Sequence, residues 1–195
     1  MAKTTEVIDT DKTRGDLVAQ LLAQHEQVRA AINDVAATTT AESRQEAFDR
    51  LRELLARHET AEEMVVRPLT RGIEEGGESV AAARMDEENE SKVVLAQLEK
   101  LDIASVEFAR QFESFALAVL THAQAEETYE FPLLRRHLDA EKLEKAEKHL
   151  LTAESTAPTH PHPSATTTAF NYVAGPFAAV ADRARDAISK MTSSS

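Results

Sequence analysis

Apolar residues recur at three- and four-residue spacing from about residue 11 to residue 153, the period of an amphipathic α-helix. In the first segment, about 11–35, Val18, Leu21, His25, Val28 and Ile32 follow at spacings of 3, 4, 3 and 4. The second, about 40–74, opens with Thr39 and Glu42 as a capping-box candidate. It then presents Leu51, Leu54, Leu55, His58, Glu62, Val65 and Leu69 to one face. The third, about 78–101, carries Val94, Leu95, Leu98 and Leu101, and the fourth, about 105–138, runs Phe108, Phe112, Phe115, Val119, His122, Glu126, Tyr129 and Leu133. Gly76-Gly77 punctuates the middle, and four of the six prolines follow residue 157. Four long helices with short connections predict an all-α, up-down-up-down four-helix bundle over residues 11–138, packed near-parallel.

Three segments follow. Residues 139–153, "DAEKLEKAEKHLLTA", predict an additional helix whose charge places it outside the core. Residues 154–174 are rich in Thr, Pro and Ser and read as a linker. Residues 175–191 predict an amphipathic C-terminal helix, with Pro176 at its first turn. Its stripe of Phe177, Val180, Ala184 and Ile188 suits docking on the bundle or on a protein partner.

The apolar stripes contain residues that do not belong in a core. "HETAEEMVVRPLTR" from 58 and "HAQAEETYEFPLLR" from 122 share His, Ala, Glu, Glu, Pro, Leu and Arg at the same offsets. Within each copy, His and Glu four residues apart project from one helix face. His25 occupies a comparable mid-helix position. A lone core His is commonly a hydrogen-bonded structural residue, but three with two in-register carboxylates are another matter. A buried, unpaired carboxylate costs several kcal/mol, against a net stability of about 5–15 kcal/mol. No Arg or Lys falls on the predicted stripes of the first, second or fourth segment near these acids. A buried metal would resolve the conflict. Mixed imidazole and carboxylate donors suit iron, manganese or zinc better than calcium or magnesium. Five or more ligands exceed one tetrahedral set and point to two metals.

The bulk composition narrows the classes further. The chain has 195 residues, 42% hydrophobic and 5% aromatic, so its core must rest on Leu, Val, Ala and Phe. A net charge of −12 argues against nucleic-acid phosphate or an anionic membrane surface as partner. The absence of Cys excludes disulfides and thiolate ligands. No apolar run approaches about 20 residues, and "MAKTTEVIDT" lacks the apolar core of a signal peptide. A cytoplasmic protein is expected.

With His25 in "AQHEQVR", "HETAE" from 58 and "HAQAE" from 122, the chain resembles the hemerythrin-like, or HHE cation-binding, family over about residues 11–138. The resemblance implies two non-haem iron ions, oxo- or hydroxo-bridged, inside the bundle. It implies that Glu62 and Glu126 bridge them, with His25 and His58 on one iron and His122 on the other. It also implies a small diatomic or peroxide ligand. The third segment departs from the family: "ARMDEENESKVVLAQLEKL" has no His. Heptad counting places Glu88 inward, with Glu87 and Glu90 as alternatives, so a carboxylate is expected to replace the imidazole. Tyr129, three residues after Glu126, is expected on the same face as a catalytic phenol or a packing residue. More anionic ligands favour ferric iron and disfavour reversible oxygen carriage. The expected function is reaction with hydrogen peroxide, dioxygen or nitric oxide; the alternative is a di-iron sensing or ligand-binding module without turnover. His137 and His149 read as surface residues, and His160 and His162 as part of the linker. Pro68 and Pro132, each six residues after a motif Glu, are expected to shape the helix ends.

Overall fold

The computed structural model describes residues 15–160. The expected C-terminal helix, most of the linker and His162 lie outside the described residues. The described chain is all helical. Helix α1 spans Leu17–Ala37; α2, Ala41–Ala61, passes through a π-helical turn, π1 (Glu62–Val66), into α3, Arg67–Arg71. Helix α4 spans Gly77–Leu98; α5, Val106–Ala125, passes through a second π turn, π2 (Glu126–Glu130), into α6, Phe131–His137; α7 spans Ala140–Thr156. The expected up-down-up-down bundle is formed by α1, α2–α3, α4 and α5–α6. No helix among the described residues is long and apolar enough to cross a membrane.

Side-chain oxygens start four of the helices by accepting otherwise unsatisfied N–H groups. Asp16 accepts from Val18 and Ala19, Thr40 from Ser43, Ser105 from Phe108, and Asp139 from Lys142. The second cap is thus Thr40, one residue beyond the expected Thr39. Helix α4 starts differently. Gly76 has φ +82°, which a side chain would strain, and a Cβ on Gly77 would collide with the Thr70 carbonyl oxygen. The two glycines therefore permit the tight reversal between α3 and α4.

Two apolar clusters fill the interior. One holds Ile32, Phe48, Leu51, Leu95, Phe108, Phe112 and Phe115 among others. Its rings meet edge-on or stacked, with Phe48–Phe108 centroids 5.2 Å apart and Phe108–Phe112 5.7 Å apart. The other holds Leu17, Leu21, Val66, Phe131 and Leu134 from the bundle, with Leu143, Ala146, Leu150 and Ala153 from α7. Helix α7 is therefore part of the core, packed against α1, α2 and π1. This corrects the expectation from its charge. The lysines and most of the acids face outward, while Leu143, Ala146, Leu150 and Ala153, spaced at 3, 4 and 3, form a narrow buried stripe beside the buried Glu147.

The π turns follow from the two prolines. Pro68 and Pro132 have no N–H, and in a regular α-helix each ring would press on the carbonyl four residues back. Each helix accommodates its proline with one wide turn: the Arg67 N–H bonds the Glu62 carbonyl, and the Phe131 N–H bonds the Glu126 carbonyl, five residues back. Beyond each turn the inward face moves on by one residue. Val66, Arg67 and Thr70 are buried where Val65 and Leu69 were expected, and Glu130 and Phe131 where Tyr129 was expected. Tyr129 is 64% exposed.

The placement of α7 predicts that Leu150→Ala destabilises the protein by about 2–5 kcal/mol. Leu151→Ala, on the outer face, is expected to stay within about 0.5 kcal/mol. Urea unfolding midpoints of the two variants measure the difference.

Candidate metal centre

Between the two apolar clusters lies a buried polar layer. His25 comes from α1, His58 from α2, Glu62 from the first residue of π1, Glu88 from α4, His122 from α5 and Glu126 from the first residue of π2. They fall into two overlapping groups, His25, His58, Glu62 and Glu126, and Glu59, Glu62, Glu88 and His122. Within each group, one ligand-type atom from every residue lies within 4.8 Å of the others. Glu62 belongs to both. Glu126 also reaches across the layer: its Oε2 is 3.2 Å from His25 Nε2, and its Oε1 is 3.2 Å from His122 Nε2.

Each imidazole is gripped from outside through Nδ1. His25 Nδ1 meets Glu127 Oε1 at 2.7 Å, and Arg29 Nη2 donates to the same oxygen at 2.7 Å. His122 Nδ1 meets Glu87 Oε2 at 2.8 Å, while Arg84 donates to the other Glu87 oxygen at 2.7 Å. His58 Nδ1 meets Gln24 Oε1 at 2.9 Å, and the Gln24 amide donates to Glu154 of α7 at 2.6 Å. These acceptors place the proton on Nδ1 and turn all three Nε2 atoms toward the layer, the arrangement of metal-binding histidines. Phe131 stacks on the His25 ring at a centroid distance of 5.3 Å and fixes its plane.

The inward atoms lack hydrogen-bond partners. His25 Nε2, His122 Nε2, Glu59 Oε2, Glu62 Oε1, Glu88 Oε2 and Glu126 Oε2 are all buried and unsatisfied. Buried polar atoms are rarely left so, and a cluster of lone-pair donors left together fits a metal cation. The donor set passes that test.

The layer also contains a cation that the predicted stripes omitted. Arg67 is 0% exposed. Its Nε donates to Glu88 Oε1 at 2.6 Å and its Nη2 to Glu62 Oε2 at 3.1 Å. Nη2 also pairs with Glu126 Oε1, and Nη1 pairs with Glu130 Oε2. Thr70 Oγ1 donates to the second Glu130 oxygen at 2.5 Å. The expectation of no basic residue in this region is therefore corrected: the π turn swings Arg67 inward.

Charge in the layer is unevenly shared. Burial, with Glu126 nearby, raises the Glu62 carboxyl well above the usual range. Burial pushes Glu88 up to about 8 despite Arg67. On Glu126 burial acts the same way, but His122 and Arg67 outweigh it and hold the carboxyl well below its usual range. Burial disfavours charge on His122, but Glu126 outweighs it and raises the imidazole. Burial and the adjacent His25 lower His58 to about 3, so it is neutral. Metal uptake must therefore release protons from this layer.

All six expected ligands meet in the layer. Glu88 faces inward and is 1% exposed, whereas Glu90 is exposed and Glu87 instead holds His122 from outside. Tyr129 is absent from the layer, a correction that follows from π2. His137 is partly exposed and lies 3.4 Å from Glu75; His149 is exposed; His160 pairs with Glu99 at 2.6 Å, away from the layer. Sequence reasoning missed Glu59, Arg67 and Glu130. The signal for the last two was the shared proline; Glu59, adjacent to a motif His, gave none.

The chain matches the hemerythrin HHE cation-binding domain over residues 16–134. It is 30% identical over 138 residues to an uncharacterised hemerythrin-like protein of Schizosaccharomyces pombe, covering 70% of this chain and 68% of that protein. It is 25% identical over 146 residues to a DNA nickase of a Nostoc species, covering 75% of this chain and 41% of that protein. No solved structure matches the chain.

The titrations predict how the metal-free protein responds to pH. Above pH 6.5 unfolded Glu88 has already lost its proton, whereas the folded protein keeps it until about 8. Raised His122 acts in the same direction, and lowered His58 changes stability only below about 6.5. The unfolded state therefore binds fewer protons, and stability falls as pH rises from about 6.5 to 8, by up to about 1.4 kcal/mol per pH unit for each group. Urea unfolding of chelator-treated protein across that range measures the slope.

Proposed function

The chain belongs to the hemerythrin HHE cation-binding domain family, and from that membership we propose that it is a non-haem di-iron protein that reacts with hydrogen peroxide, dioxygen or nitric oxide. The observation that carries this reading is the set of six buried, unsatisfied imidazole and carboxylate atoms. Their two overlapping groups supply more donors than one tetrahedral ion accepts. Mixed imidazole and carboxylate donors suit iron. When bound, iron would supply Lewis-acid and redox chemistry.

This chain's own residues would bias that chemistry. His25 and His58 make one position imidazole-rich. Glu59, Glu62 and Glu88 surround His122 and make the other carboxylate-rich. Anionic oxygen donors favour the more highly charged ion, so the centre is better suited to turnover of an oxidant than to reversible oxygen carriage. The outer partners Glu127, Gln24 and Glu87 hold the three imidazoles in place while the ligand set changes charge. Apolar clusters flank the layer on both sides, and its candidate ligands are themselves buried. A role on DNA, suggested by the name of the Nostoc relative, is disfavoured by the net charge of −12.

Protein purified from iron-supplied cells is expected to contain about two irons per chain and to consume hydrogen peroxide or nitric oxide. His122→Ala is expected to abolish consumption, whereas Tyr129→Phe, at an exposed position, is expected to leave it unchanged. Iron analysis, an optical spectrum and a peroxide electrode make the measurements. Bound iron with no consumption of either oxidant would point instead to a ligand-binding or sensing module. Absence of iron would overturn the di-iron reading.

A further inference from the structure

The outer partners of the imidazoles are not chemically alike. Glu127 and Glu87 are carboxylates, each also engaged by an arginine, Arg29 and Arg84 respectively. An ionised carboxylate only accepts, so each by itself keeps a proton on the Nδ1 of its histidine. His58 meets an amide instead. Gln24 can present a carbonyl oxygen to Nδ1, which requires N–H there, or an NH2 group, which requires a lone pair there. The second arrangement puts the proton of a neutral imidazole on Nε2, where it blocks the nitrogen that faces the layer from binding a metal.

The two ends of an amide are nearly the same shape, so the choice falls to what lies beyond Gln24. That residue is Glu154. Its Oε1 accepts from Gln24 Nε2 at 2.6 Å, while Gln24 Oε1 meets His58 Nδ1 at 2.9 Å. Turning the amide over would set its oxygen against a carboxylate oxygen, acceptor against acceptor. Burial raises the Glu154 carboxyl, and the Gln24 amide and Arg57 oppose that rise by favouring the charged, accept-only form. Gln24, His58 and Glu154 share the wall of a cavity of about 340 Å³ with Gln20, Gln27 and Arg57. Open space beside the amide leaves its orientation to the hydrogen bonds.

We propose that Glu154 is a positioning residue that sets the tautomer of His58 through Gln24, and thereby decides whether His58 Nε2 can donate to a metal. His25 and His122 need no such help, because their immediate partners are carboxylates. Glu154 belongs to α7, beyond the residues 16–134 that match the family domain. One position of the centre, the one that includes His25 and His58, thus depends on a helix outside that domain. The consequence for metal binding rests on the metal-centre reading above; the tautomer itself does not.

Long-range proton–nitrogen spectra of the metal-free full chain, with its imidazoles labelled with nitrogen-15, distinguish the tautomers without any activity readout. In wild type His58 is expected to be protonated on Nδ1. Glu154→Lys replaces the acceptor with a donor. It is expected to turn the Gln24 amide over, to move His58 to the Nε2-protonated form, and to weaken ferrous iron binding in equilibrium dialysis by about tenfold or more. Adding Gln24→Glu to Glu154→Lys places an accept-only group directly on Nδ1 and is expected to restore both. The His25 and His122 signals are expected to stay in place throughout. Should Glu154→Lys fail to fold, Glu154→Gln, which keeps the shape of the side chain but donates as well as accepts, is expected to populate both tautomers. A wild-type His58 protonated on Nε2, a His58 tautomer indifferent to these changes at Glu154, no restoration by Gln24→Glu, a parallel shift of His25 and His122, or an Nε2-protonated His58 with undiminished iron affinity would each overturn the proposal. If His58 follows the substitutions while neither wild type nor variant binds iron, the tautomer assignment stands and the metal-centre reading fails.

Discussion

Everything in the interior is arranged around one electrostatic constraint: carboxylates are buried in a helical bundle and must be given positive charge. Glu62, Glu88, Glu126 and Glu130 are all at most 1% exposed. In the metal-free protein they are reconciled by Arg67, by protonation of raised carboxyls and by a His122 kept charged beside Glu126. An isolated buried charge of this kind is among the most destabilising features a core can carry. Apolar clusters pack on both sides of the layer, so its acids rely on these partners within the protein. The same arrangement leaves one face of each ligand unsatisfied, and the fold thereby combines a stable bundle with a set of ready donors.

The repeated motif contributes more than ligands. Its proline forces a wide turn immediately after the motif Glu, and that turn rotates the following residues by one position. In the first copy the rotated residue is Arg67; in the second the rotation brings in Glu130 and Phe131. The two π turns thus deliver a cation and its anionic partner from opposite helices to the same level. The second Glu of each motif diverges as well. Glu127 orients His25, whereas Glu63 pairs with Lys92 of α4. A symmetric sequence pattern yields an asymmetric layer, because the residues between the shared positions differ.

Helix α7 extends this control beyond the four bundle helices. Glu154 fixes the Gln24 amide, and Gln24 in turn fixes His58. Near its middle the helix is anchored by Glu147, which accepts the Gly15 N–H at 2.8 Å. Packing through Leu143 and Leu150 therefore has a chemical consequence: it holds Glu154, the third residue of a hydrogen-bond relay that ends on His58.

Among the described residues, the main helices, their order and six of the seven candidate ligands were legible in the chain alone. Helical period is a local property, and His or Glu at an apolar register is visible without neighbours. Glu88 was found because heptad counting from Leu95 and Leu98 runs through an uninterrupted helix. Counting failed for Tyr129 and Arg67 because a π turn adds one residue to the phase, and propagated phase is only as good as the regularity between its ends. It could not reveal Glu59, whose burial depends on which helix packs beside α2. Nor could it place α7 in the core, since charge density says little when a narrow apolar stripe suffices. Periodicity and residue type determined which groups the protein has to work with. The tertiary structure decided which of them share one buried layer, which oxygens face Arg67 and which face open coordination, because those are distances between helices far apart in sequence.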